Sequence, residues 1–318
     1  MQVLFIDTVH PILEERLTAK GMNCIDGTKW TWEECIQVLP LIDGIVIRSR
    51  FPMDEDFLGH GKNLKFILRS GAGMENIDLN YTETNNIQCF NAPEGNRNAV
   101  GEHALGMLLS LFNHLIKGDA EVRQGIWDRE GNRGVELDGK TVGIIGFGNN
   151  GSAFAKKLSG FDVKVLAYDK YKENYGGQYA EAVAMEKIFK EADVISFHIP
   201  QNEETLFLGD HKFFESFKKP IYVINLARGK IIRTKALLNG LKSGRILGAC
   251  LDVLEYESSS FEKTMSSEEN PEFNALLKSD KVIFSPHVGG WSTESYFKLS
   301  EVLADKVLEF YKLRKKSN

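Results

Sequence analysis

An arginine, a glutamate and a histidine each stand just beyond a short apolar run in the second half of this 318-residue chain. Arg228 follows residues 221–225 in NLARG, Asp252 and then Glu257 follow residues 247–251 in LDVLEYE, and His287 follows residues 282–284 in SPHVGG. Together these side chains have a chemical use. A guanidinium holds a carboxylate or carbonyl oxygen through its forked donors. An imidazole passes a proton to and from the oxygen of a hydroxyl carbon. A carboxylate on the second ring nitrogen fixes the tautomer. Singly, each residue has an ordinary explanation as a surface charge or a loop residue. Their joint placement at three successive strand ends is what points to a reaction.

The strands belong to a unit that opens at residues 142–171, VGIIGFGNNGSAFAKKLSGFDVKVLAYDKY. An apolar run leads into Gly146, Gly148 and Gly151, spaced G-x-G-x-x-G, and a helical pattern with Phe154, Ala155 and Leu158 on one face follows. In a dinucleotide site the first glycine allows the tight turn, the second admits a pyrophosphate and the third brings helix close to strand. Free N–H groups at the helix start favour phosphate. Asp169 closes the next apolar run 18 residues after Gly151, where a carboxylate accepts hydrogen bonds from an adenosine ribose. A carboxylate there also argues for NAD over NADP, a preference that Lys170 and Lys172 weaken a little.

The bounds set by composition are ordinary. The chain is 42% hydrophobic and 26% charged with a net charge of −5, which gives no reason to expect nucleic acid or an acidic membrane as partner. Cys24, Cys35, Cys89 and Cys250 are scattered without ligand spacing, as reduced thiols of a cytoplasmic protein would be. No cluster has metal-ligand spacing, so no metal is expected. The N-terminus MQVLFIDTVH reads as a first strand and not as a signal peptide.

Apolar runs at 3–6, 45–47, 66–68 and 87–90, separated by polar or helical stretches, predict a small α/β domain with a parallel sheet. Residues 99–116, AVGEHALGMLLSLFNHLI, predict one helix apolar over most of its surface, buried within the fold or against a second subunit. The charged segment 117–139 follows, with Trp127 as its expected anchor. Beyond Asp169, runs at 194–197, 221–225, 247–251 and 282–284 bring the count from Val142 to six strands. Residues 258–274 read as a long polar loop, and 293–312 as a final amphipathic helix.

The blocks VGIIGFGNNG, SFHIP, NLARG, LDVLEYE and SPHVGG, with RSGAGMENID in the first domain, resemble those of the D-isomer-specific 2-hydroxyacid dehydrogenases. The resemblance implies two doubly wound parallel-sheet domains with a cleft between them. One is a Rossmann NAD domain (99–291) and the other a smaller flavodoxin-like substrate domain (1–98 and 292–318). It implies that Arg228, Glu257 and His287 are catalytic. It implies a cofactor site of Gly146, Gly148, Asn149, Asn150, Gly151, Asp169, His198, Ala227, Asp252 and Gly290, with Asp252 on the nicotinamide amide. It implies that backbone N–H groups of Ser70, Gly71, Ala72 and Gly73 hold the substrate carboxylate, and that the protein is a homodimer. Asn149-Asn150 and Trp291 depart from common members, which bears on substrate choice more than on chemistry. The chain stops after its last helix, so no appended regulatory domain is expected. His103 stays unassigned.

For the substrate, Arg48 and Arg50 share a strand face, and with the Ser49 N–H they could bind a second anionic group, while Asn96 lies where related enzymes contact the substrate's far end. This resembles the 3-phosphoglycerate dehydrogenase branch and favours D-3-phosphoglycerate. Hydroxypyruvate, glyoxylate or D-lactate chemistry comes next, and an NAD-sensing scaffold of the corepressor type is the alternative from another class. Equally, the arginines could pair with Asp54, Glu55 or Asp56, and Trp291 and Tyr296 suit an uncharged tail.

Overall fold

A computed structural model describes residues 1–257 and 270–316. The chain divides into two compact units, one formed by Met1–Asn96 with the segment from Trp291 onward, the other running from Arg97 to Gly290.

In the first unit, strands β1 (Gln2–Phe5), β2 (Asn23–Asp26), β3 (Gly44–Ile47), β4 (Phe66–Arg69) and β5 (Gln88–Asn91) form a parallel sheet in the order β2-β1-β3-β4-β5. This is the flavodoxin-like order. Every residue of β3 and β4 is buried, which is why they read as continuous apolar runs without alternation. Alternate residues feed opposite faces. Val46, Phe66 and Leu68 pack with Leu303 and Val307 of the C-terminal helix Thr293–Lys316, whereas Ile45, Ile47 and Ile67 pack with Leu39 and Phe57. The strand β2 gave no sequence signal, because its NCID carries only two apolar residues and none is fully buried.

In the second unit, β6 (Thr141–Ile145), β7 (Lys164–Tyr168), β8 (Glu181–Ala182), β9 (Val194–Phe197), β10 (Ile221–Asn225), β11 (Ile246–Leu251) and β12 (Val282–Phe284) form a parallel sheet in the order β12-β11-β10-β9-β6-β7-β8. The sheet has seven strands, not six. The extra one, β8, is two exposed residues on the edge and has too little apolar surface to be seen in the sequence. The chain winds outward from β6 through β7 to β8, then returns to lay β9 on the other side of β6. That reversal is where an open α/β sheet leaves a crevice at its carboxyl ends.

Three further expectations change. The helix expected over 99–116 runs from Pro93 to Phe112, then breaks at His114, which adopts φ 51°, before a second helix, Leu115–Arg123. Val100, Ala104, Leu108 and Phe112 are buried in the core, but Leu115 and Ile116 are exposed. Trp127 is not an anchor within this chain, being 79% exposed. Of the expected loop 258–274, residues 258–269 lie outside the described residues. The remainder enters a helix, Pro271–Leu277, capped by Asn270 Oδ1, which accepts the Glu272 and Phe273 N–H groups at 3.0 Å.

Candidate active and cofactor site

The glycines at the end of β6 have different steric reasons. Gly146 adopts φ +89° and a Cβ there would lie 2.6 Å from the His198 carbonyl oxygen, while a Cβ on Gly151 would lie 2.1 Å from the Gly146 carbonyl oxygen. Only glycine satisfies both, so the helix Asn149–Leu158 sits tight on the turn. Gly148, its N-cap, faces open space with nothing within 4 Å of an added Cβ. Asn149 Oδ1 accepts from Arg97 Nη1 at 3.5 Å, and Asn150 Oδ1 is buried without a partner.

Beside this turn lies a mainly apolar pocket of about 500 Å³, lined among others by Gly148, Asp169, Met185, His198 and Phe213. Asp169 Oδ2 accepts the Phe147 N–H at 2.8 Å, and Oδ1 accepts those of Tyr171 and Lys172 at 3.1 Å. Its own N–H donates to the Tyr175 hydroxyl at 2.8 Å. His198 pairs through Nε2 with Ser196 Oγ at 2.8 Å, while Nδ1 is buried with no partner. Burial lowers this imidazole to about 4, so it is neutral at physiological pH.

At the ends of β10, β11 and β12 the expected residues are held by the main chain. Asn225, buried at the end of β10, accepts the Ala227 N–H at 3.1 Å and donates to the Arg228 carbonyl at 3.0 Å. Arg228 Nη1 donates to the Ala227 carbonyl at 2.6 Å. A Cβ on Gly229 would lie 1.8 Å from the Leu254 carbonyl oxygen, so this turn abuts the loop after β11. That loop presents Glu257, whose Oε2 lies 2.7 Å from His287 Nδ1, while Oε1 accepts the Leu254 N–H. His287 itself adopts φ +55°, a left-handed conformation uncommon for a residue other than glycine.

Asp252 is 2% exposed. Its carboxylate accepts from Ser285 Oγ at 2.6 Å, from Val288 N–H at 2.9 Å and from Gly289 N–H, next to Gly290, at 2.8 Å. Ser285 Oγ also lies 2.9 Å from His103 Nε2. This Asp252–Ser285–His103 chain was missed by sequence reasoning. His103 and Ser285 are 182 positions apart, and no spacing rule connects them.

In the first unit the expected substrate residues are only partly available. The N–H groups of Arg48, Ser49 and Arg50 all donate to Asp7 Oδ2, at 2.6, 3.0 and 3.3 Å, so the Ser49 N–H is already committed. The Arg50 guanidinium donates to the carbonyls of Ile6 (2.9 Å), Gly27 (3.2 Å), Thr28 (2.6 Å) and Trp30, and pairs with none of the acids downstream. It is a structural staple and not a ligand arm. The Arg48 guanidinium lies 4.1 Å above the Trp291 ring. A second pocket, about 320 Å³, touches Ser49 and Arg50 but is rimmed by Asp54, Glu75 and Asp78, the wrong sign for phosphate. In the glycine loop, the Ser70 N–H continues the sheet to the Ile47 carbonyl at 2.8 Å and the Gly71 N–H turns back to the Arg69 carbonyl at 2.9 Å. Two of the four expected N–H donors are therefore used internally, which leaves those of Ala72 and Gly73. Asn91 Nδ2 holds the Ala72 carbonyl at 2.6 Å, and a Cβ on Gly71 would overlap the Arg69 guanidinium. Asn96 Oδ1 is buried without a partner.

Among the described residues no group of three His, Cys, Asp or Glu side chains could hold a metal ion, and no helix is long and apolar enough to cross a membrane. Residues 105–289 match the family model described as D-isomer specific 2-hydroxyacid dehydrogenase, NAD binding domain. The chain is 32% identical to the D-3-phosphoglycerate dehydrogenase of Archaeoglobus fulgidus over 98% of its own length and 58% of that protein's. It is also 32% identical to the hydroxypyruvate reductase of Thermotoga maritima over 87% of each chain. A solved D-lactate dehydrogenase from Aquifex aeolicus, complexed with NAD and lactic acid, superposes with a TM-score of 0.81 at 26% identity, covering 98% of this chain and 96% of that one. The chain belongs to the D-isomer specific 2-hydroxyacid dehydrogenase family, and its second unit carries that family's NAD-binding domain.

Proposed function

We propose that the protein is an NAD-dependent oxidoreductase interconverting a small D-2-hydroxy acid and its 2-keto form, with D-3-phosphoglycerate and 3-phosphohydroxypyruvate as the favoured pair. The observation that carries this is the His287–Glu257 contact of 2.7 Å at the carboxyl end of the nucleotide-binding sheet. Bound NAD supplies the hydride acceptor or donor. Glu257 orients the His287 ring through Nδ1, and Nε2 takes or returns the hydroxyl proton of C2. Arg228 holds the substrate's carboxylate or carbonyl oxygen.

NAD fits the residues present. The N–H groups at the start of Asn149–Leu158, with Asn149 and Asn150, would hold the pyrophosphate at the open Gly148 position, and Asp169 would hold the ribose. The unpartnered His198 Nδ1 would gain a partner on the adenosine side. Ala227, Asp252 and Gly290 would hold the nicotinamide half, with Asp252 acting chiefly through the N–H groups it gathers. In the first unit, Ala72 and Gly73 supply the N–H donors for the substrate carboxylate, within the loop that Ser70 and Gly71 shape. Arg48, flanked by Ser49, is the cation for a distal phosphate, and Asn96 contacts the far end.

One observation favours a second reading. The Arg50 guanidinium and the Ser49 N–H are both spent on the fold, which takes two groups from the expected anion site and suits hydroxypyruvate or glyoxylate. The deciding measurement is kcat/KM for phosphohydroxypyruvate against hydroxypyruvate in wild type and Arg48→Ala. A phosphate preference that collapses in the variant supports the first pair. No preference in wild type gives the second, and NADH binding without turnover of any 2-keto acid gives a sensing scaffold.

The working unit is a homodimer in this proposal. Leu115, Ile116, Val122, Ile126 and Trp127 are each exposed on or just beyond the helix Leu115–Arg123, apolar surface that a second copy would cover. The four free cysteines suit a cytoplasmic setting.

A further inference from the structure

Asp169 is followed directly by Lys170, and both line the pocket assigned to the adenosine half of NAD. A lysine in that place is the natural counter-ion for the 2′-phosphate of NADP, so its presence beside a ribose-binding carboxylate is a conflict. The structure resolves it within the same pocket. Lys170 Nζ donates to Glu204 Oε2 at 2.8 Å, and the Tyr171 hydroxyl donates to the same oxygen. Glu204 arrives from the loop after β9 and lines the same pocket.

That loop is built to hold it. Asn202 Oδ1 accepts the N–H groups of both Glu204 and Thr205 at 3.0 Å, Thr205 Oγ1 accepts the Asn202 N–H at 2.9 Å, and Thr205 Oγ1 donates to the Pro200 carbonyl at 2.7 Å. The remaining cations do not fill the gap. Lys172 Nζ donates to the Phe147 carbonyl at 3.0 Å, and His198 is uncharged. Both partners of the Lys170–Glu204 pair are about half exposed, and such pairs stabilise a fold little. Its effect falls on the ligand instead, because a second phosphate group entering here meets two carboxylates and a lysine already neutralised.

We propose that Glu204 is a specificity-determining residue that excludes a 2′-phosphate by sequestering Lys170. The proposal rests on the pocket's being the adenosine site of NAD. It assigns discrimination to two acids of one pocket, Asp169 toward the ribose and Glu204 toward the lysine.

The test measures binding by the full chain, without turnover, using AMP and adenosine 2′,5′-bisphosphate by calorimetry and NADH and NADPH by nicotinamide fluorescence. Glu204→Gln keeps the shape and removes the charge. In this variant the 2′-phosphorylated ligands should tighten relative to their parents by about tenfold, a difference of about 1.4 kcal/mol. Adding Lys170→Met to Glu204→Gln should abolish that gain. The proposal is overturned if the ratio of the two adenosine ligands is the same in Glu204→Gln as in wild type, or if the gain survives Lys170→Met. Failure of wild type to bind AMP and NADH at all would instead overturn the assignment of the pocket, and the proposal with it. Lys170→Met alone, which keeps Glu204, should leave the 2′-phosphorylated ligands no tighter relative to their parents than in wild type.

Discussion

Asp252 holds His287 through the main chain: its carbonyl accepts the His287 N–H at 2.8 Å, and its carboxylate gathers the two N–H groups that follow. The histidine's left-handed backbone is thus fixed from below, and its ring is fixed from the side by Glu257. Replacing His287 with alanine should lower turnover by roughly 10²–10⁴-fold, the usual contribution of a positioned acid–base group. NADH affinity should stay at the wild-type value. Glu257→Gln should lower kcat less, because the ring keeps a hydrogen-bonding neighbour. Wild-type turnover in His287→Ala would sink the assignment.

For cofactor choice, NADH should exceed NADPH in kcat/KM by at least about tenfold in the wild type. Asp169→Ala should narrow that ratio and also loosen the turn, since the carboxylate accepts three backbone N–H groups. A ratio near one in the wild type would show that the lysines offset the carboxylate.

Arg50→Met should destabilise the first unit. The guanidinium serves the carbonyls of Ile6, Gly27, Thr28 and Trp30, and stranding them costs about 1–3 kcal/mol for each one left unsatisfied. The check is a urea melt together with the phosphate preference of the surviving enzyme. A large loss of phosphate preference with unchanged stability would return Arg50 to the substrate.

These outcomes follow how far the sequence reached. The nucleotide turn was legible because Gly146, Gly148, Gly151 and Asp169 act within one local strand–helix–strand stretch, and local spacing is what a sequence displays. His287, Glu257 and Arg228 were legible as strand-end residues for the same reason. Arg48 and Arg50 share a strand face on paper, but Arg50 turns to carbonyls some 20–44 positions away, a non-local fact no periodicity encodes. The break at His114 was hidden because apolar residues continue through it, changing only from buried to exposed.

Acid should weaken the fold partly through His198. Its imidazole is lowered from 6.5 to about 4 by burial, so between those values the unfolded chain takes a proton that the native state refuses. Stability is therefore full above pH 6.5 and falls as pH drops toward 4, by at most about 1.4 kcal/mol per pH unit from this group. Urea midpoints at pH 7 and pH 5 should converge in His198→Gln relative to wild type. An identical drop in both proteins would remove His198 as the cause.

The homodimer is tested by Ile116→Glu combined with Trp127→Glu. Sedimentation should show wild type as a dimer and the variant as a monomer, with the far-ultraviolet spectrum unchanged because both side chains are exposed in the single chain. A monomeric wild type would leave this apolar surface unexplained by self-association.

The three N–H groups of residues 48–50 that meet Asp7 Oδ2 make a small anion cradle at the end of β3, and the chain fills it with its own carboxylate. This occupant is tethered, so no dilution, dialysis or change in metabolite supply removes it. The N–H groups at the end of that strand are therefore occupied whatever the cell's phosphate pool is doing. Any choice between phosphorylated and plain substrates is thereby left to side chains and not to these three N–H groups.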